Sequence, residues 1–118
     1  MKPSQHILVL RLSAMGDVAM MVPLFRSLFK KYPTLRLTLV SRPLFKPIFK
    51  EFDRLDFFAV DLNERHKGPL GLWRLYQDLK ALNPTAVADL HSVLRTHVID
   101  FFFKTSGYKV AQIDKGRP

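Results

Sequence analysis

The chain contains no cysteine, and this absence excludes several classes of function. A disulfide scaffold, a thiolate metal site and a cysteine nucleophile all require the missing side chain. The absence fits a reducing compartment. Arg11 and Asp17 interrupt the apolar stretch near Met1, and no signal-peptide cleavage pattern follows it. The mature protein is therefore predicted to begin at Met1 in the cytoplasm.

Long apolar runs are also missing. No segment reaches the roughly 18 uncharged apolar residues that a transmembrane helix needs. The hydrophobic fraction is nevertheless 47%, with 10 Phe among 118 residues. This composition is sufficient for the core of a single globular domain and argues against a disordered chain.

Acidic residues are scarce relative to basic ones. The 10 Asp and Glu oppose 19 Lys and Arg, which gives a net charge of +9. Such a charge attracts polyanions, whether nucleic acid, anionic lipid headgroups or phosphorylated sugars. The basic residues are spread along the chain, a pattern typical of a solvated surface. Charge alone therefore predicts an anionic partner, and peripheral contact with an anionic membrane surface is one such expectation.

The order of apolar and amphipathic segments predicts an α/β fold. Strands are expected over residues 7–12, 35–40, 57–61, 85–89 and 108–113, and helices over residues 18–31, 44–52, 70–82 and 93–104. Pro23 lies inside a predicted helix, so an irregular first turn is expected there. Short connections between alternating elements predict a Rossmann-like parallel sheet with flanking helices.

The loop after the first strand lacks the glycine patterns of nucleotide-binding sites. Residues 11–17 contain neither G-x-G-x-x-G nor G-x-x-x-x-G-K-S/T, so dinucleotide and phosphate-loop cofactors are disfavoured. The loop does contain Gly16, where backbone can approach a ligand closely, and Asp17. From spacing alone, Asp17 is interpreted as a helix N-cap, with catalysis as the alternative. The two roles are compatible, because an ionised carboxylate can accept a proton from a substrate hydroxyl.

Two segments carry a resemblance to a known family. Residues 7–33 read ILVLRLSAMGDVAMMVPLFRSLFKKYP, and residues 89–96 read DLHSVLRT. Both resemble the lipopolysaccharide heptosyltransferases of glycosyltransferase family 9, although His91 stands where that family commonly has Gln. The order of predicted elements agrees with the family along the whole chain.

The resemblance implies the GT-B architecture, in which two Rossmann-like domains face each other across a cleft. Residues 1–118 are then expected to be a truncated N-terminal, acceptor-side domain, inactive without the C-terminal donor domain. The implied reaction is the inverting, metal-free transfer of heptose or a related sugar from an ADP-sugar such as ADP-heptose. The acceptor is a phosphorylated, lipid-linked core sugar of lipopolysaccharide biosynthesis. No cofactor is expected, and the implied base is Asp17.

The resemblance also implies acceptor-binding or phosphate-binding roles for a set of polar residues: Arg11, Ser13, Gly16, Arg65, Lys67, His91 and Arg95. Structural alternatives stay open for most of them. For Arg11, a role towards Asp17 or an acceptor phosphate in the cleft and a purely structural ion pair with Asp89 or Asp17 fit the sequence equally well. The charged residues at 65, 67 and 95 are also compatible with a solvated surface, and the serine with an ordinary turn.

Metal and nucleic-acid sites are not expected. His91 and His97 are six residues apart, which does not place them on one face of a helix. Trp73, Tyr76 and the Phe101–Phe103 run are interpreted as core or as surface covered by another part of the protein. Basic residues do not interleave with these aromatics, so no nucleic-acid platform is predicted. A non-catalytic basic α/β module that binds a polyanion remains the alternative function.

Overall fold

A computed structural model describes residues 5–12, 15–91 and 93–112 of the chain. They form a parallel five-stranded sheet of order β3-β2-β1-β4-β5. Its strands are β1 His6–Leu10, β2 Arg36–Ser41, β3 Leu55–Ala59, β4 Ala86–Asp89 and β5 Lys109–Gln112. The helices are α1 Met15–Ala19, α2 Met21–Lys31, α3 Gly68–Lys80 and α4 Leu94–Thr105, with a 3-10 helix over Pro43–Phe49. The predicted α/β, Rossmann-like fold is confirmed.

The first strand is central because its sequence is apolar on both faces. Leu8 pairs with Thr38 of β2 on one side and with Val87 of β4 on the other. Leu8 and Leu10 pack into the cluster beneath α3 and α4. Val9 points the opposite way, into the cluster beneath α2. A strand covered on both faces is what a continuous apolar run in a parallel sheet predicts.

The two layers of helices fill the core with different side chains. On one face Phe25 and Phe29 of α2 pack with Phe45 and Phe49 of the 3-10 helix. On the other face the buried residues of α3 and α4 are mainly aliphatic, joined by two aromatics: Leu75, Tyr76, Leu79, Ile99 and Phe103. The aromatic segments were predicted to be core or covered surface. Tyr76 and Phe103 lie in the core, whereas Trp73 and Phe101 are exposed.

The predicted helix over residues 18–31 is instead two helices, α1 and α2, which meet at Met20. Pro23 explains the break, because it has no N–H to donate to the carbonyl of Ala19 and its ring clashes with that carbonyl. The last residue of α1 is this same Ala19. The irregular first turn expected at Pro23 is confirmed, and the helix begins earlier than predicted.

The third strand lies earlier than the predicted 57–61. It starts at Leu55, which is buried and pairs with Leu37. Arg54, just before it, donates hydrogen bonds to the backbone oxygens of Phe29, Tyr32, Pro33 and Leu35 at 2.5–3.0 Å. This arginine therefore satisfies carbonyls at the end of α2, where an α-helix leaves several of them without an intrahelical partner.

All five strands end at the same edge of the sheet, since they are parallel. Among the described residues, those that follow the strands at this carboxyl edge are 11–12, 15–20, 42–44, 60–67, 90–91 and 93. In open α/β sheets ligands bind beyond this edge. Within the described residues, no helix has the length and apolarity to cross a membrane.

Candidate functional site

The loops after the neighbouring strands β1 and β4 are tied together by hydrogen bonds. Leu90 donates its backbone N–H to the carbonyl of Leu10 at 3.0 Å. Arg11 donates from its guanidinium to the carbonyl of Leu90 at 2.6 Å, and the Leu12 N–H donates to Nδ1 of His91 at 3.0 Å. The structure thus brings together two segments that are far apart in the sequence.

Asp17 lies in the first turn of α1, beside this junction. Its carboxylate pairs with Arg11 at 2.6 Å; the Arg11 side chain is 11% exposed and the Asp17 side chain is 61% exposed. The N-cap interpretation of Asp17 is wrong, because α1 already begins at Met15. A carboxylate within the first turn is still favoured by the helix dipole. The pair therefore consists of a largely buried cation that holds an accessible carboxylate.

Gly16 immediately precedes this carboxylate and is exposed. A Cβ built at Gly16 meets nothing within 4 Å. The packing of the described chain therefore does not require glycine at this position. Close approach of a ligand remains the predicted reason for it.

A buried acid pair lies directly under the junction. Asp89 and Asp100 are 0% and 1% exposed. Asp89 accepts the backbone N–H of His91 at 2.9 Å, and Asp100 accepts from the Gln112 amide at 2.8 Å. Burial, followed by the hydrogen bond to Asp89, raises the pKa of Asp100 to about 8. Asp100 therefore keeps its proton at neutral pH and shares it with Asp89.

The pair also forms the one potential metal-binding group found in the described residues, together with His97. The possible ligand atoms of the three side chains lie within 4.8 Å of one another. His97 and Asp100 are three apart on α4, a spacing that places them on one helical face. The expectation that the protein binds no metal stays a prediction. This group was not predicted from the sequence, in which His97 was considered only together with His91.

Two residues of the loop before α3, Arg65 and His66, contact Asp78 within that helix. Arg65 makes a two-pronged contact with Asp78, at 2.6 and 2.8 Å, and this hydrogen bonding lowers the pKa of Asp78 to about 2. His66 is buried; its Nδ1 accepts the Asp61 N–H and its Nε2 contacts Asp78 at 2.8 Å. Gly71 allows the close packing, since a Cβ there would lie 2.1 Å from the His66 backbone.

The remaining predicted site residues differ in their placement. Lys67 is exposed at the N-terminal end of α3, and Arg95 is exposed in the first turn of α4. Both positions lie at the carboxyl edge. Ser13 lies outside the described residues. The structure thus groups Arg11, Gly16, Asp17 and His91 closely, and places Lys67 and Arg95 on the same edge of the sheet.

Comparison with known proteins finds no matching protein-family model and no matching curated protein. Solved structures do match, and they are glycosyltransferases of the GT-B architecture. The chain covers only 28–38% of the neighbours described below, so it spans about a third of their length.

One such neighbour is the glycosyltransferase family 9 protein from Veillonella parvula, with TM-score 0.74, 23% identity and 98% of this chain covered. The E. coli heptosyltransferase WaaC with ADP-2-deoxy-2-fluoro heptose gives TM-score 0.65 at 19% identity over 80% of this chain. A UGT transferase from Siraitia grosvenorii in complex with UDP gives 0.69 at 11% identity over 95%. At these identities the likeness establishes the fold alone.

Proposed function

We propose that this chain is the acceptor-side part of a glycosyltransferase that moves heptose or a related sugar from an ADP-sugar to a phosphorylated, lipid-linked core sugar of lipopolysaccharide. The observation that carries the proposal is the accessible carboxylate of Asp17, held by Arg11 at 2.6 Å. This carboxylate lies at the carboxyl edge of a sheet whose fold glycosyltransferases share.

In the proposed reaction Asp17 acts as general base. Its carboxylate takes the proton from an acceptor hydroxyl while that oxygen forms a bond to the anomeric carbon of the donor sugar. The bond from the anomeric carbon to the diphosphate oxygen breaks, and the nucleotide diphosphate leaves with the electron pair. Attack opposite the leaving group inverts the anomeric centre. The donor nucleotide is assigned to a second domain, in keeping with the family resemblance.

Cations on the same edge are suited to the acceptor phosphates. Lys67 and Arg95 are exposed there, and an arginine can hold a phosphate through two parallel hydrogen bonds. Arg65 is already paired with Asp78, so Lys67 and Arg95 are the stronger candidates. No resident metal or cofactor is part of the proposal.

An anionic membrane surface is the proposed setting for such an acceptor. Four exposed aliphatic side chains lie at the starts of helices on the carboxyl edge: Met20, Leu44, Leu70 and Leu94. The exposed cations Arg42, Lys67 and Arg95 accompany them. Binding to anionic vesicles that weakens on changing Leu70 and Leu94 to Ser supports this contact. Binding that depends on neither side chain contradicts it.

The test of the catalytic proposal is Asp17→Asn in the full-length protein. Transfer from ADP-heptose to a lipopolysaccharide core acceptor should fall by about 10²–10⁴-fold, because a positioned base contributes about that much. The unfolding midpoint should change little, since the Asp17 side chain is 61% exposed. Asp53→Asn is the matched control, an exposed aspartate in the turn before β3. An undiminished rate in the Asp17 variant would remove this residue from the mechanism.

The second candidate function is a non-catalytic module that binds a polyanion, which the net charge of +9 favours. It predicts affinity that falls steeply with salt and shows little preference for sugar structure. Tight, salt-sensitive binding of unrelated oligonucleotides would support it. Selective binding of lipopolysaccharide core fragments would argue for the transferase instead.

A further inference from the structure

His91 is hydrogen-bonded to the protein through both its backbone and its ring. Its backbone N–H donates to Asp89 at 2.9 Å, and the carboxylate of Asp89 belongs to the fully buried acid pair. Its ring Nδ1 accepts the backbone N–H of Leu12 at 3.0 Å. The ring therefore lies between the rigid end of β4 and the segment that follows β1.

The bond from Leu12 determines which nitrogen of the ring carries the proton. A backbone N–H can only donate, so Nδ1 must accept and carries no hydrogen. A neutral imidazole then has its hydrogen on Nε2. An imidazolium has a hydrogen on both nitrogens, so the cationic form cannot accept the Leu12 N–H.

Leu12 adjoins the residue that holds the proposed base. Arg11 donates one bond to the Leu90 carbonyl at 2.6 Å and pairs with Asp17 at 2.6 Å. The segments 11–12 and 90–91 are thus joined by the Arg11 side chain and by the His91 ring. If either bond is lost, Arg11 is held less firmly, and the Asp17 carboxylate that it pairs with loses part of its support.

We infer that His91 is a positioning residue: a neutral ring whose Nδ1 accepts the Leu12 N–H and so fixes the Arg11–Asp17 pair. The inference rests on the proposed function. It differs from a phosphate-binding role, which a cationic ring would serve best. The positioning role requires an uncharged hydrogen-bond acceptor at position 91.

The experiment compares His91→Gln, His91→Leu and His91→Arg in the full-length protein. The Gln side chain keeps an acceptor without charge, Leu removes the acceptor, and Arg supplies charge with donors only. We expect the Gln variant to retain transfer within about tenfold of the parent. The Leu and Arg variants should lose about 10²-fold in kcat with little change in acceptor KM, because misplacing a reacting group costs about this much. Retained transfer by the Arg variant together with loss in the Gln variant would overturn the inference in favour of phosphate binding.

A measurement on the folded protein tests the bond independently of activity and of variant folding. Nitrogen NMR of protein labelled at histidine should show, for His91, an unprotonated Nδ1 and a protonated Nε2 at neutral pH. The chain has 4 His, so the signals missing from the His91→Gln spectrum identify this ring. A protonated Nδ1 would overturn the inference. If the parent protein has this tautomer but transfers no sugar, the proposed function and the positioning role fall together, and the hydrogen bond alone stands.

Discussion

Arg54, at the edge of the sheet where the strands begin, and Arg11, at the edge where they end, have nearly opposite surroundings. Arg54 donates to four backbone carbonyls around the end of α2 and its guanidinium lies 4.7 Å from the centre of the Phe29 ring. Arg11 donates to a single carbonyl and an exposed carboxylate. Its Nε is buried without a partner among the described residues.

The difference indicates what each edge contributes. The contacts of Arg54 supply donors to backbone carbonyls at and beyond the end of α2, which serves stability. Arg11 instead holds an accessible anion in a fixed place and leaves one of its own donors unused, at a cost in stability. Groups that are poorly satisfied yet fixed are characteristic of functional sites. Substitution at the two arginines should therefore separate activity from stability.

Of the substitutions that compare the two edges, Arg11→Ala in the full-length protein should have the largest effect, and that effect is on activity. The Asp17 carboxylate loses its main support, and transfer should fall about 10²-fold. Arg26→Ala is the matched control, since it also breaks an arginine–carboxylate pair, with Glu51, on the surface. Sugar-transfer kinetics check this prediction. A control that loses as much activity as the Arg11 variant would show that the effect is not local.

Arg54→Ala should have the converse effect. Losing several charge-assisted hydrogen bonds to backbone oxygens should lower the free energy of unfolding by about 2–3 kcal/mol, while transfer by the folded protein is retained. Arg36→Ala is the control at the same edge, because its pair with Asp56 is exposed and should contribute about 1 kcal/mol or less. Chemical denaturation measures both values. Equal losses would mean that the carbonyl contacts of Arg54 contribute little.

The comparison of edges also shows what the sequence could predict. The parallel sheet followed from the alternation of elements, because continuous apolar runs such as residues 7–10 form buried strands regardless of distant detail. Asp17 at the carboxyl edge followed from the position of its loop. The pair of Arg11 with Asp17 was among the alternatives left open from the sequence, and the structure confirms it. The backbone contacts could not be predicted, since Arg11 meets Leu90 and Arg54 meets Phe29 only when the chain folds. The side chain of Leu55 was the overlooked signal for the start of the third strand.

The acid pair beneath the site gives a third prediction, on pH. The pKa of Asp100 is about 8 in the folded protein, above the value of roughly 4 for an unfolded aspartate. The folded state therefore holds more protons between these values, and stability falls as pH rises through that window. Asp100→Asn removes this dependence and still offers hydrogen bonds to Asp89 and Gln112. The variant should match the parent near pH 4 and become increasingly more stable than the parent as the pH rises towards 8.

Urea denaturation of both proteins between pH 4 and pH 9 tests this expectation. Asp56→Asn is the control, since Asp56 is exposed in its pair with Arg36. Parallel stability curves for the Asp100 variant and the parent would show that Asp100 ionises normally. Such a result would also mean that Asp100 and Asp89 do not share a proton beneath the site.

The smallest expected effect concerns Arg65, which pairs with Asp78 near the carboxyl edge. The Arg65 side chain is 57% exposed, so Arg65→Ala should lower the free energy of unfolding only slightly at pH 7. The pKa of Asp78 is lowered to about 2, mainly by this arginine, so the contribution is present above the unfolded pKa and disappears as pH falls through about 2. His66 keeps its own contact with Asp78, which limits the loss. Denaturation of the variant and the parent at pH 7 and near pH 2 measures it. A loss at pH 7 as large as that of Arg54→Ala would mean that Arg65 also stabilises the fold, and the contrast between the two edges would then be weaker than their contacts indicate.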